Sequence, residues 1–209
     1  MHPNPSFRGQ SLAQNLAFAR ARSFGVLTLG GPDGPLAAHI PFVLNEVGDG
    51  FEAHLVRSNP ILRVLDAAQP ALMVVSGPDG YVSPDWYDVP DQVPTWNYIA
   101  VHLRGTLRRL PQTDLEPHSR ALSAQFEARL APKPAWTQDK MQAETLAKMQ
   151  RMIVPVAFDI REVTGTWKLN QNKPDAVRQA ASAQVATGMG QELAQLAALM
   201  ASPPEDQGT

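Results

Sequence analysis

Nineteen prolines, scattered along 209 residues rather than gathered into one tract, restrict this chain more than any other feature. Each one fixes its own φ at about −65° and removes an amide donor, so helix interiors and central strand positions are closed to it. Prolines spaced this way admit many short elements joined by turns and disfavour long bundle helices in the middle of the chain. Proline and glycine together make up 33 residues (19 and 14), about 16% of the chain, above the usual ~12% but short of low complexity. With 44% hydrophobic residues the composition is that of a globular protein.

Between the prolines the pattern alternates. Ser11 predicts a capped helix to Arg22 with Leu12, Leu16 and Ala19 on its apolar face. Strands are expected over 24–29, 36–44 and 51–57, joined by the Gly31-Pro32-Asp33-Gly34 turn and the Asp49-Gly50 hairpin signal. Pro41 demotes the second of these to an edge or a special position. Asn59-Pro60 opens a helix to about Ala68, and 71–76 is an apolar strand. A second Gly-Pro-Asp-Gly, at 77–80, predicts another turn before Tyr81-Val82. A long β stretch covers 95–110, helices are expected over 114–130 and 137–151, and a last strand runs over 153–163 with an extension at 166–169. The expected class is therefore α+β, an antiparallel sheet of six or seven strands of the kind that closes into a small barrel, with peripheral helices.

Composition excludes several functions. The formal net charge of −2 argues against a surface coated for phosphate backbones, and the absence of cysteine removes thiol nucleophiles, iron–sulfur clusters and cysteine-ligated zinc. No stretch of 18 apolar residues exists and the first ten residues do not read as a signal peptide, so a cytoplasmic location without membrane attachment is expected. No glycine-rich phosphate loop, GxSxG elbow or HExxH motif is present. His39, His54 and His102 all fall on expected strands, where packing or hydrogen bonding explains them more simply than a metal, and no metal ligands are assigned.

Four segments are too polar or too aromatic for their positions. One is Ala38–Phe42, around His39. Another is Arg57-Ser58-Asn59-Pro60, where a strand gives way to a helix; it reads either as a phosphate corner or as an ordinary capped helix beside an exposed arginine. The third gathers Tyr81, Trp86, Tyr87, Trp96 and Tyr98, five of the seven Trp and Tyr residues, which can line a planar ligand, an interface or a small core. The fourth is Lys168-Leu169-Asn170-Gln171-Asn172-Lys173, which offers many donors after a strand and reads equally well as a solvated turn.

Taken together, AAHIPFVL (37–44), RSNP (57–60), SGPDGYVSPDWY (76–87), VPTWNYIAVHLRG (93–105) and TGTWKLNQNKPD (164–175) resemble the PaiB family, the FMN-binding negative transcriptional regulators. The likeness covers almost the whole chain in order. The family more usually has serine at the position of Asn170 and arginine at that of Lys173; both differences keep polarity or charge. The resemblance implies a split β-barrel of the flavin-reductase and pyridoxamine-phosphate-oxidase type, a homodimer with FMN held between subunits. Within it we assign Arg57, Ser58 and Asn59 to the phosphate, His39 and His54 to the ribityl chain or ring, and Trp96 and Asn97 to the ring edge. Lys168, Gln171, Asn172 and Lys173 would come from the partner subunit.

The expected organisation is a flavin-binding domain over 1–186 with a helical insertion at about 114–151, a C-terminal helix over 187–201 and a disordered tail over 202–209. Two other functions stay open, an FMN-dependent oxidoreductase and a haem-binding protein on the same barrel. DNA binding, which the family's name implies, is not supported by the net charge, and Arg104, Arg108 and Arg109 read most simply as a solvated strand end.

Overall fold

A computed structural model describes residues 2–205; the end of the expected tail, 206–209, lies outside the described residues. The chain packs as two compact units woven from alternating segments. One comprises Ala19–Val75 and Leu103–Glu162; the other comprises the described residues of Met1–Phe18, Ser76–His102 and Val163–Thr209.

In chain order the elements are α1 (Leu12–Arg22), β1 (Phe24–Gly31), β2 (Gly34–Leu44), β3 (Gly50–Val56), α2 (Pro60–Val64), β4 (Gln69–Val82) and β5 (Thr95–Arg109). Then follow α3 (Leu115–Glu127), α4 (Ala143–Gln150), β6 (Ile153–Lys168), α5 (Asp175–Val185), β7 (Gly190–Gln191) and α6 (Leu193–Ala201). The strand order is β1-β2-β3-β6-β5-β4-β7. β1 also pairs with β4, Val26 opposite Val74 and Leu29 opposite Ala71, which closes six strands into a barrel. An antiparallel split barrel with peripheral helices, as the sequence predicts, is the result.

Period-two alternation builds the barrel unit. Phe51, Ala53 and Leu55 of β3 point into the core while Glu52, His54 and Val56 point outwards. Phe51 stacks on Phe158 with centroids 4.6 Å apart and meets Phe42 at 4.9 Å. Each such buried ring contributes about 1.5–3 kcal/mol. Pro41 does occupy a special position: it is the last β2 residue paired with β1, opposite Phe24, and the pairing with β3 starts at Phe42. Gly105 is required on β5, because a Cβ there would collide with the Asp159 carbonyl.

The other unit has its own core of Val82, Tyr87, Ile99, Trp167, Leu169, Val185, Leu196 and Met200. Ser11 caps α1 in a reciprocal box: its Oγ accepts from Gln14 N–H at 3.2 Å, and Gln14 Oε1 accepts from Ser11 N–H at 2.9 Å. The buried face of α1 differs from expectation. Leu12 is 61% exposed, and the buried positions are Asn15 and Ala19. Asn15 is satisfied there, accepting from Trp167 Nε1 at 3.0 Å and donating to the Gln10 carbonyl at 3.1 Å.

Three local expectations are corrected. The first Gly-Pro-Asp-Gly turns as predicted, with Gly34 at φ 127°, but the second runs straight through β4. There Gly77 lies under Phe18 and Ile99, Gly80 lies under Leu193 and Leu196, and Asp79 and Gly80 pair with β7. Packing and pairing have overridden turn propensity. α2 stops at Val64 rather than Ala68, and 137–151 is a short 3-10 turn, Gln138–Lys140, followed by α4.

Candidate functional site

In the barrel unit, His39 lies exposed on the outer face of β2 with its ring 6.5 Å from Phe24. His54, half-buried on the outer face of β3, sets Nδ1 3.1 Å from Nε2 of His118. Arg57 follows β3, and its guanidinium donates to the carbonyls of Arg151 (2.8 Å) and Ile153 (3.4 Å) and to Gln112 Oε1 (3.1 Å). All three acceptors are neutral, so the guanidinium is held in place without an ion pair among the described residues. Ser58 is exposed. Asn59 is the N-cap of α2, its Oδ1 accepting from Ile61 N–H at 3.0 Å. Since α2 has only five residues, the expected helix-terminus contribution to an anion is small, and Arg57 and Ser58 are what the corner offers.

In the other unit, Lys168, at the end of β6, donates to Thr95 Oγ1 and lies 5.9 Å from the Phe7 ring centroid. Burial pushes its pKa below the usual lysine value. The turn after Lys168 is shaped by Asn170, whose φ of 63° is left-handed and whose Nδ2 donates to Tyr87 Oη at 3.1 Å. Gln171 folds back on that turn, accepting from Leu169 N–H at 2.8 Å. Lys173 donates to Gln92 Oε1 at 2.6 Å and sits 4.4 Å from the Tyr87 ring centroid. Asn172 is exposed. This segment is therefore a built turn with two ammonium groups held by neutral oxygens and ring faces.

Trp96 is partly exposed and donates through Nε1 to Asp79 Oδ1 at 3.1 Å, with Tyr81 edge-on at 6.4 Å. Asn97 departs from its assignment to a ring edge. It is fully buried, with Nδ2 3.4 Å from the Met200 sulfur, because alternation along β5 turns it into the core. Tyr87, also among the aromatics singled out, belongs to the same core.

Sequence reasoning missed Glu52, Thr95, Gln92 and His118 as partners of these side chains. His118 is the most informative omission: 1% exposed on α3, with Nδ1 3.6 Å from Glu52 Oε2 and a pKa lowered to about 4 by burial and by His54. Burial also lowers the pKa of His54. The arginines near the end of β5 are matched by acids. Arg104 faces Glu162 at 3.9 Å, Arg108 faces Asp159 at 3.4 Å and Arg109 faces Asp66 at 3.9 Å.

Among the described residues no helix is long and apolar enough to cross a membrane. Known proteins sharpen the picture. The chain is 28% identical over 158 residues to protease synthase and sporulation protein PAI 2 of Bacillus subtilis, covering 75% of each chain. An uncharacterised Saccharomyces cerevisiae protein is 38% identical over 101 residues, which cover 43% of this chain and 60% of that one. The FAD and haem binding protein of Mycobacterium smegmatis shares the fold with a TM-score of 0.55 at 21% identity, covering 78% of this chain and 73% of that one. The family model described as "Putative FMN-binding domain" matches residues 1–162, and the chain belongs to that family.

Proposed function

We propose that the protein is a cytoplasmic, homodimeric FMN-binding regulator of the PaiB type, in which each flavin is held by residues of both subunits. The observation that carries this reading is shared by Arg57, Lys168 and Lys173. Each cation is fixed in place by neutral acceptors and keeps its charge for a ligand anion. That donor set fits the doubly charged phosphate of FMN, and the desolvated Lys168 ammonium is the group that gains most from an incoming anion.

In this reading Arg57 and Ser58 of one subunit hold the phosphate, and His39 and His54 on the outer face of β2 and β3 meet the ribityl chain or ring. Lys168, Gln171, Asn172 and Lys173 of the partner close the site. Exposed Trp96 and half-buried Tyr81 offer aromatic edges to the ring, while buried Asn97 has no part in the contact. When bound, FMN supplies one- and two-electron redox chemistry that this cysteine-free chain lacks by itself. The resemblance to the PaiB regulators, and a relative named as a protease synthase and sporulation protein, support a regulatory role. With Arg104, Arg108 and Arg109 already matched by acids, that role runs through a partner protein rather than through a DNA-coating surface.

Purified protein should carry or take up one FMN per subunit, seen in its visible spectrum and by fluorescence titration. Arg57→Ala and the double variant Lys168→Ala/Lys173→Ala should each lose affinity. Mixing the two variants should restore one intact site per mixed dimer. Failure of mixing to restore binding refutes the shared cleft, and copurified haem in place of flavin refutes the cofactor. Steady turnover of a nicotinamide nucleotide would make the protein an enzyme rather than a regulator.

A further inference from the structure

Glu52 and His54 are alternate residues on the outward face of β3, and His118 reaches both from α3. The two imidazoles meet edge-on, with centroids 5.3 Å apart and planes at 70°, and the contact joins His118 Nε2 to His54 Nδ1 at 3.1 Å. On the far side of the same ring, His118 Nδ1 is buried without a hydrogen bond, and the Glu52 carboxylate stands 3.6 Å from it, just beyond hydrogen-bond length.

A neutral imidazole has one N–H, so the contact between the rings needs one donor and one acceptor. Suppose His118 Nε2 donated. Its Nδ1 would then be a bare lone pair, buried and aimed at a carboxylate oxygen, acceptor against acceptor. In the opposite arrangement His54 Nδ1 donates to His118 Nε2, and the His118 proton sits on Nδ1, directed at Glu52. The buried N–H dipole then points at the carboxylate, whereas the first arrangement sets a buried lone pair against a negative charge; electrostatics at 3.6 Å favours the second. Burial keeps His118 neutral near pH 7, so the doubly protonated ring does not compete.

We propose that Glu52 and His118 act as a relay that fixes the tautomer of His54, holding its proton on Nδ1 and leaving Nε2 as a lone-pair acceptor. His118 is then a positioning residue. His54, half-exposed on the barrel's outer face, is set to recognise a ligand that donates a hydrogen bond, a hydroxyl or an imide N–H. Resting on the flavin reading above, those donors are the ribityl hydroxyls or the ring imide of FMN. A phosphate or carboxylate, which only accepts, is not what this nitrogen binds.

The test uses the full-length protein with isotope-labelled histidine and a long-range proton–nitrogen correlation spectrum near neutral pH. His54 and His118 should both show a protonated, pyrrole-type Nδ1 and a bare, pyridine-type Nε2. A bare Nδ1 on His54 overturns the relay. Glu52→Ala, which removes an exposed carboxylate and leaves the core intact, should turn both rings into tautomer mixtures. Glu52→Gln should restore the original pattern through its amide oxygen. An unchanged pattern in Glu52→Ala overturns the role of Glu52. In parallel, FMN affinity should weaken about two- to tenfold in Glu52→Ala, the size of one hydrogen bond, and recover in Glu52→Gln. If affinity does not respond while the tautomers do, His54 is not the flavin's acceptor. The flavin reading fails separately: wild-type protein that binds no FMN yet shows the expected nitrogen pattern refutes that reading and leaves the relay standing.

Discussion

Acidification should destabilise this protein through His118. The folded ring has its pKa lowered to about 4, against 6.5 for an unperturbed histidine, because burial and the neighbouring His54 both disfavour the imidazolium. Glu52, 3.6 Å away, pulls the other way, but its side chain is 51% exposed and water screens it. The sign follows from which state binds the proton. Between pH 6.5 and about 4 the unfolded chain takes up a proton that the folded chain refuses, so stability falls as pH falls through that window. The loss is complete near the folded pKa and amounts to about 3 kcal/mol, a sizeable part of the ~5–15 kcal/mol of a typical domain. His54, also lowered by burial, adds a loss of the same sign.

Urea unfolding of the wild type and of His118→Gln, followed from about pH 7.5 to about pH 4.5, isolates this effect, since the carboxylates titrate alike in both. The wild type should lose more stability on acidification, and the difference between the two should grow steadily below pH 6.5. A difference that stays flat, or a His118 titration midpoint near that of a free histidine, would refute the reasoning.

Other expectations follow from single contacts. Arg178 is 7% exposed and donates to the Met200 carbonyl at 2.6 Å and the Ala201 carbonyl at 2.8 Å, closing the end of α6 against α5. Arg178→Met should cost about 2–4 kcal/mol in chemical unfolding by orphaning those carbonyls. Gly105→Ala should disrupt the β5–β6 pairing, read as a lowered melting temperature and faster amide exchange in β6, because its Cβ meets the Asp159 carbonyl. Asn15→Leu should leave the Trp167 indole N–H unpaired and cost about 1–3 kcal/mol, visible in the indole proton resonance. If Lys168 contacts the FMN phosphate, FMN affinity should weaken as pH rises through its lowered pKa, and Lys168→Arg should abolish that weakening.

Much of the fold was legible because it depends on period and punctuation. The Asp49-Gly50 hairpin signal led into the strand expected over 51–57, which is β3, and Asn59-Pro60 marked a helix start to the residue. The polar segments that drew attention, Arg57 to Asn59 and Lys168 to Lys173, are built corners and turns whose donors are held in place. The division into two units of alternating segments carries no sequence signal, since the chain passes from one to the other inside elements, once within α1 and then within β4, β5 and β6.

Local chemistry, then, was enough to establish an antiparallel α+β chain, the caps of α1 and α2, and the segments rich in donors. Tertiary structure alone decided which of two identical Gly-Pro-Asp-Gly tetrapeptides turns, that Asn97 faces the core, and that His118 lies against His54 and Glu52. The physical reason is range: caps and turns are settled within a few residues. Burial, cross-strand pairing and the protonation of a histidine 64 residues from its partner depend on packing that no window of sequence contains.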